Sequence, residues 1–211
     1  MKRTLLSLMI ATSAATPMLA NAASSVQLKV TGTIVPASCS ITMPGGTTID
    51  YGKIASDTLK KDAPTMIGDD VRAKLQVSCD APTLFAIKTT DERAGSAITG
   101  TGEATDVLFG LGKTGSTDIG AYRISLVNVN ADGKTVNVLR KAIGDTSYAK
   151  LAEMRPGAIS AFGDGSNAVP VAYKNVTADL SLKTYVQKAS ALPLKQEVKF
   201  DGQTTFEVVY L

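Results

Sequence analysis

Apolar side chains fall on alternate positions along much of this chain, and that period of two constrains the fold more than any other feature. In Val26-Gln27-Leu28-Lys29-Val30-Thr31-Gly32-Thr33-Ile34 the even positions are apolar or glycine and the odd ones polar. A strand sends successive side chains to opposite faces, so such a run suits an extended segment with one buried face. The alternation returns in Val71, Ala73, Leu75, Val77 and Cys79, in Leu180, Leu182 and Thr184, and from Val198 through Phe206 and Val208 to Tyr210. Residues 84–89 and 107–111 are short and apolar enough for buried strands, and residues 49–54 read as another extended piece. Residues 122–129 and 135–139 flank Asp132-Gly133, the signature of a hairpin. Only residues 147–154, ahead of Pro156, suggest one or two helical turns. About nine short strands with turn residues between them predict an all-β, immunoglobulin-like antiparallel sandwich.

The first 22 residues are expected to be a secretory signal. Lys2 and Arg3 precede a short apolar run, and Ala20-Asn21-Ala22 offers a small-x-small cleavage site. The run is too short for a transmembrane span, which needs about 20 apolar residues, so no membrane-crossing segment is expected in the mature chain. Removing Lys2 and Arg3 leaves 20 of the 22 basic residues against 19 acidic ones, which withdraws any case for nucleic-acid binding by bulk charge. Cys39 and Cys79 are then the only thiols of an exported chain, and an oxidising compartment favours their pairing in one disulfide.

Catalytic chemistry finds little to work with. The chain has no histidine, which removes Ser-His-Asp, Cys-His and His-metal sites together. Gly112-Lys113-Thr114 fails as a phosphate loop because Val107 stands where the first glycine belongs. Asn128, Asn130, Asp132 and Gly133 resemble half a calcium loop, yet Leu139 occupies the position of the bidentate carboxylate, and a polar hairpin tip explains them better. Asp69-Asp70, Asp91-Glu92 and Asp201 read as solvated surface charge, residues 91–106 as an exposed Gly/Thr/Ala-rich connection, and the sequon at Asn175 as incidental. No enzyme activity, metal or cofactor is expected.

The two ends of the chain carry a resemblance. The alternating segment after the signal, the run from Gly32 through Pro36 to Cys39, a second cysteine forty residues on, and the ending Phe206-Glu207-Val208-Val209-Tyr210-Leu211 are similar to fimbrial subunits of the bacterial chaperone-usher pathway. Residues 180–186 resemble the penultimate strand of such pilins. The chain departs from them in carrying Val198 where a glycine is common, and in its length. The resemblance implies a sandwich (residues 36–211) that lacks its last strand, preceded by a donor strand (residues 23–35). Val26, Leu28, Val30, Gly32 and Ile34 would form the inserting face of that donor. Phe206, Val208 and Tyr210 would line the acceptor groove and the strand a chaperone recognises. The implied partners are a periplasmic chaperone, an outer-membrane usher and neighbouring pilin subunits, with export through the periplasm to a surface fimbria that contributes to adhesion. The competing reading is a self-contained exported sandwich that binds a ligand or an envelope protein through residues 91–106 or 144–169.

Overall fold

Strands form in this chain wherever an alternating run finds a partner edge and a second layer to cover its apolar side. The computed structural model describes residues 26–33 and 38–211. The expected signal and Ile34 of the donor face lie outside the described residues. The chain divides into two units, Met1–Val35 and Pro36–Leu211. Of the first, residues 26–33 belong to no ladder, and Val26, Leu28 and Val30 are 96%, 90% and 86% exposed.

The second unit contains thirteen described strands: β1 (Cys39–Thr42), β2 (Thr65–Thr83), β3 (Phe85–Asp91), β4 (Leu108–Gly110), β5 (Lys113–Thr114), β6 (Thr117–Asp118), β7 (Gly120–Ala131), β8 (Lys134–Thr135), β9 (Asn137–Ala142), β10 (Ala149–Lys150), β11 (Ala158–Gly163), β12 (Tyr173–Val186) and β13 (Thr204–Tyr210). One sheet runs β1-β2-β12-β7-β4, with β8 also on β7, and the other runs β10-β9-β11-β3-β13. Every pairing among them is antiparallel. The protein is therefore an all-β antiparallel sandwich. Its core lies between the sheets: Leu75, Val77, Leu126 and Leu180 from the first meet Phe85, Ile87, Val138 and Phe162 from the second. Cys39 and Cys79 face each other across the β1–β2 ladder and are joined as a disulfide.

Several elements differ from what the sequence suggests. Residues 147–154 are not helical. β10 pairs with β9, and Glu153 bridges to Ser125 of β7, because this arrangement buries Met154 completely between the sheets. Residues 49–54 pair with no strand, and Gly45, Gly46 and Gly52 with positive φ turn the chain around them. The expected hairpin at Asp132-Gly133 is short: β7 and β8 share two residue pairs and Val136 N still donates to Val129 O, after which β9 joins the other sheet and buries Val138. Residues 198–202 keep their alternation without a ladder, since β3 ends at Asp91, the partner of Thr204. Residues 91–106 are not a purely exposed connection. Ile98 is buried against Leu108, Ala121 and Tyr185, and Glu103 accepts from both Arg123 (2.9 Å) and the Tyr185 hydroxyl (2.8 Å).

Candidate functional site

The two flanks of the sandwich are built differently. On one flank the segment around β10 stitches the sheets together. Leu151 N donates to Val138 O of the second sheet, while Leu126 N donates to Ala152 O and Met154 N to Ile124 O, which ties the same segment to the first. Met154 plugs the space behind it. On the other flank the sheet edges are β1 and β13, and among the described residues no strand joins them.

β1 has four residues and β2 nineteen, so beyond Thr42 most of β2 has no described strand on its β1 side. A groove of about 1300 Å³ opens there. Its floor is the inner face of the first sheet, where Ala73 and Leu75 of β2, Leu180 and Leu182 of β12, and Tyr122 and Ile124 of β7 lie side by side. Phe206 of β13 and Phe200 just before it form one wall. Ile41, Met43, Ile49 and Tyr51 form the other. Within this apolar lining two hydroxyl pairs are satisfied internally, Tyr51 with Thr184 and Tyr122 with Thr204, each at 2.7 Å. Burial pushes the Tyr122 phenol up to about 12, so it stays neutral and leaves the groove without charge on its floor.

The backbone of β13 borders this groove with an unused edge. Leu211 N donates to Leu84 O, and Glu92 N donates to Gln203 O, so the odd residues of this strand spend their main-chain groups on β3. In an antiparallel ladder the alternate residues point theirs the other way. Thr204, Phe206, Val208 and Tyr210 therefore present N–H and C=O groups to a side where no described strand pairs with them. Such an edge is a template for another chain.

The three residues assigned from sequence to the groove have separate positions. Phe206 lines it. Val208 packs against the main core instead. Tyr210 is exposed, and its hydroxyl accepts a hydrogen bond from Cys39 N at 3.0 Å, which links the end of β13 to the start of β1 beside the disulfide. Sequence reasoning missed Tyr51, Leu182 and Phe200. Leu182 and Phe200 carry the alternation that could have flagged them, whereas Tyr51 lies in the expected extended piece 49–54, which pairs with no described strand.

The carboxylates are engaged in structure. Asp132 accepts from Lys174 N and Asn175 N, and Asn130 accepts from Gly133 N, as befits a hairpin tip. Asp91 accepts from Gly110 N and Arg93 N, and Arg93 forms a two-pronged bond to Asp201. Asn175 is part of β12, its side chain accepting from the Ser78 hydroxyl at 2.9 Å. Among the described residues no group of three acidic or cysteine side chains could hold a metal ion, and no helix is long and apolar enough to cross a membrane.

A comparison with curated proteins finds no match. Residues 28–107 match the model of a family described as a protein of unknown function (DUF1120), a stretch that takes in both cysteines and runs from Leu28 to the start of β4.

Proposed function

We propose that this protein is a structural subunit of a surface fimbria, assembled by donor-strand exchange through a periplasmic chaperone and an outer-membrane usher. The observation that carries this reading is the apolar groove along the unpaired edge of β13. At about 1300 Å³ it exceeds the roughly 300–1,000 Å³ of pockets shaped for small molecules. A bare edge beside an apolar trough is what an added strand needs, main-chain bonds supplying affinity and alternate side chains register.

The 26–34 segment has the complementary form. Val26, Leu28 and Val30 stand exposed in a segment without a ladder, and such residues gain from burial. Burying them with Ile34 is worth on the order of 6–12 kcal/mol before ordering costs. The chain thus offers a groove that lacks a strand and a strand that lacks a sheet. No catalytic step is part of this role.

Thermal unfolding tests the reading. A chain beginning at Pro36 should gain about 5–10 °C in midpoint when a peptide of residues 24–35 is present at a hundredfold excess over its Kd. A chain that is already stable and indifferent to the peptide would rule strand donation out.

A further inference from the structure

We propose that residues 43–59 form a strap latched by Tyr51 across the Thr204 end of the groove, and that a 26–34 segment arriving from a second copy of the chain must release the latch. This rests on the strand-donation reading above and adds to it a control on entry.

The strap is long and lightly held. It runs from the end of β1 toward β2, and apart from a short 3-10 turn at Ser56–Thr58 it has no regular structure. None of its residues is fully buried. Met43 packs against the main core at one end, and Leu59 packs beside Val186 and Leu192 at the other. Between them the Tyr51 hydroxyl, 2.7 Å from Thr184 Oγ1, makes the only hydrogen bond from the strap to any other described residue. Gly45 and Gly46 precede it and Gly52 follows it, all with positive φ, so the chain bends on both sides of Tyr51 at residues that turn without steric cost.

The fold makes room for this one ring. A Cβ on Gly68 would stand 2.6 Å from Tyr51 Cε1, and the three atoms nearest to it all belong to Tyr51. Gly68 opposes Thr184 between two irregularities of the β2–β12 ladder. The ring thus fills a notch in β2 while its hydroxyl reaches a threonine that is itself buried. Phe200 lies 6.4 Å from it between ring centroids, tilted by 49°, within the range of a favourable aromatic pair. Tyr51 and Phe200 belong to opposite walls, so here the walls meet and close the groove.

The closure stands where a donor would leave. Thr184 pairs with Tyr122 of β7, and the Tyr122 hydroxyl is bonded to Thr204, so the latch lies level with the start of β13. A donor added antiparallel to β13, as every described pairing in the molecule is, brings Val26 toward Tyr210 and Ile34 toward Thr204. Its residues 35–38 must then leave the groove at that point to reach the donor's own β1. They arrive where Tyr51 and Phe200 touch. The closed latch and the departing chain compete for one place, so insertion requires the strap to swing out on its glycines.

The test uses full-length mature chains, dilute enough to sediment as monomers, and a labelled peptide of residues 24–38. Tyr51→Phe keeps the ring and removes the latch. It should take up the peptide about fivefold faster than the parent, the factor that one hydrogen bond lends to the closed form, and release it at the parent's rate, because the latch is already open in the complex. Gly68→Ala pushes the ring from its notch at a position where φ is not positive, and it should act in the same direction. Uptake at or below the parent's rate in Tyr51→Phe, or in Gly68→Ala should that variant alone fold, would overturn the latch and leave strand donation standing. Failure of every chain to bind the peptide would overturn strand donation and the latch with it.

Discussion

Asp132 turns the chain after β7 with a φ of 47°, and its carboxylate receives the main-chain N–H groups of Lys174 and Asn175 at 3.0 and 2.8 Å. Those bonds favour the charged form and hold its pKa below the ordinary carboxylate value. A group lowered on folding stabilises the fold above its unfolded pKa, about 3.9, and loses that contribution as the pH falls through the folded value. Asp132→Asn keeps a residue that tolerates positive φ and removes the charge. The variant should be less stable than the parent at neutral pH, and the difference should shrink below about pH 4. Urea midpoints measured at both pH values check this, and a difference that stayed constant would mean the charge is immaterial. Tyr122 makes a second local case, because its hydroxyl pairs with Thr204 where β13 begins, at the mouth of the groove. Tyr122→Phe should cost about 1 kcal/mol in stability by chemical denaturation.

Met154 tests the element that closes one flank. It is fully buried where residues 149–154 join the two sheets, so Met154→Ala should cost about 2–5 kcal/mol. A loss well below 1 kcal/mol would show that the flank is not held by this side chain. Reduction of the Cys39–Cys79 bond, or Cys39→Ser with Cys79→Ser, should cost a further 2–5 kcal/mol, because the bond closes a separation of 40 residues. The same elements show what was legible in the sequence and why. Val71 to Cys79, Leu180 to Thr184 and Phe206 to Tyr210 form strands because both a partner edge and a facing sheet exist for them. Val198 and Phe200 have the same pattern but lie beyond the end of β3, and pattern alone carries no information about where a partner stops. Residues 147–154 read as helical locally, yet burying Met154 between the sheets outweighs a propensity of that size. Within residues 91–106 the one large apolar side chain, Ile98, marked a packed loop inside an otherwise polar composition. Of the residues lining the groove, Phe206 alone was singled out from the sequence, whereas the floor depends on which strands become neighbours.

As a whole the sandwich is sealed on one flank and open on the other, and under the proposed role a 26–34 segment supplies what the open flank lacks. A globular sandwich normally pairs, shortens or covers its edges to avoid association, and an apolar groove left beside a bare seven-residue edge runs against that practice. Under the proposed role the open flank is the means of assembly, and isolated subunits should self-associate. The most direct measurement is amide hydrogen exchange along β13 in a chain beginning at Pro36, with and without a peptide of residues 24–35. Glu207 and Val209 face β3 and should be protected in both states, whereas the Phe206 and Val208 amides should exchange fast alone and become protected when the peptide binds. Unchanged exchange at Phe206 and Val208 under saturating peptide would contradict strand addition at this edge.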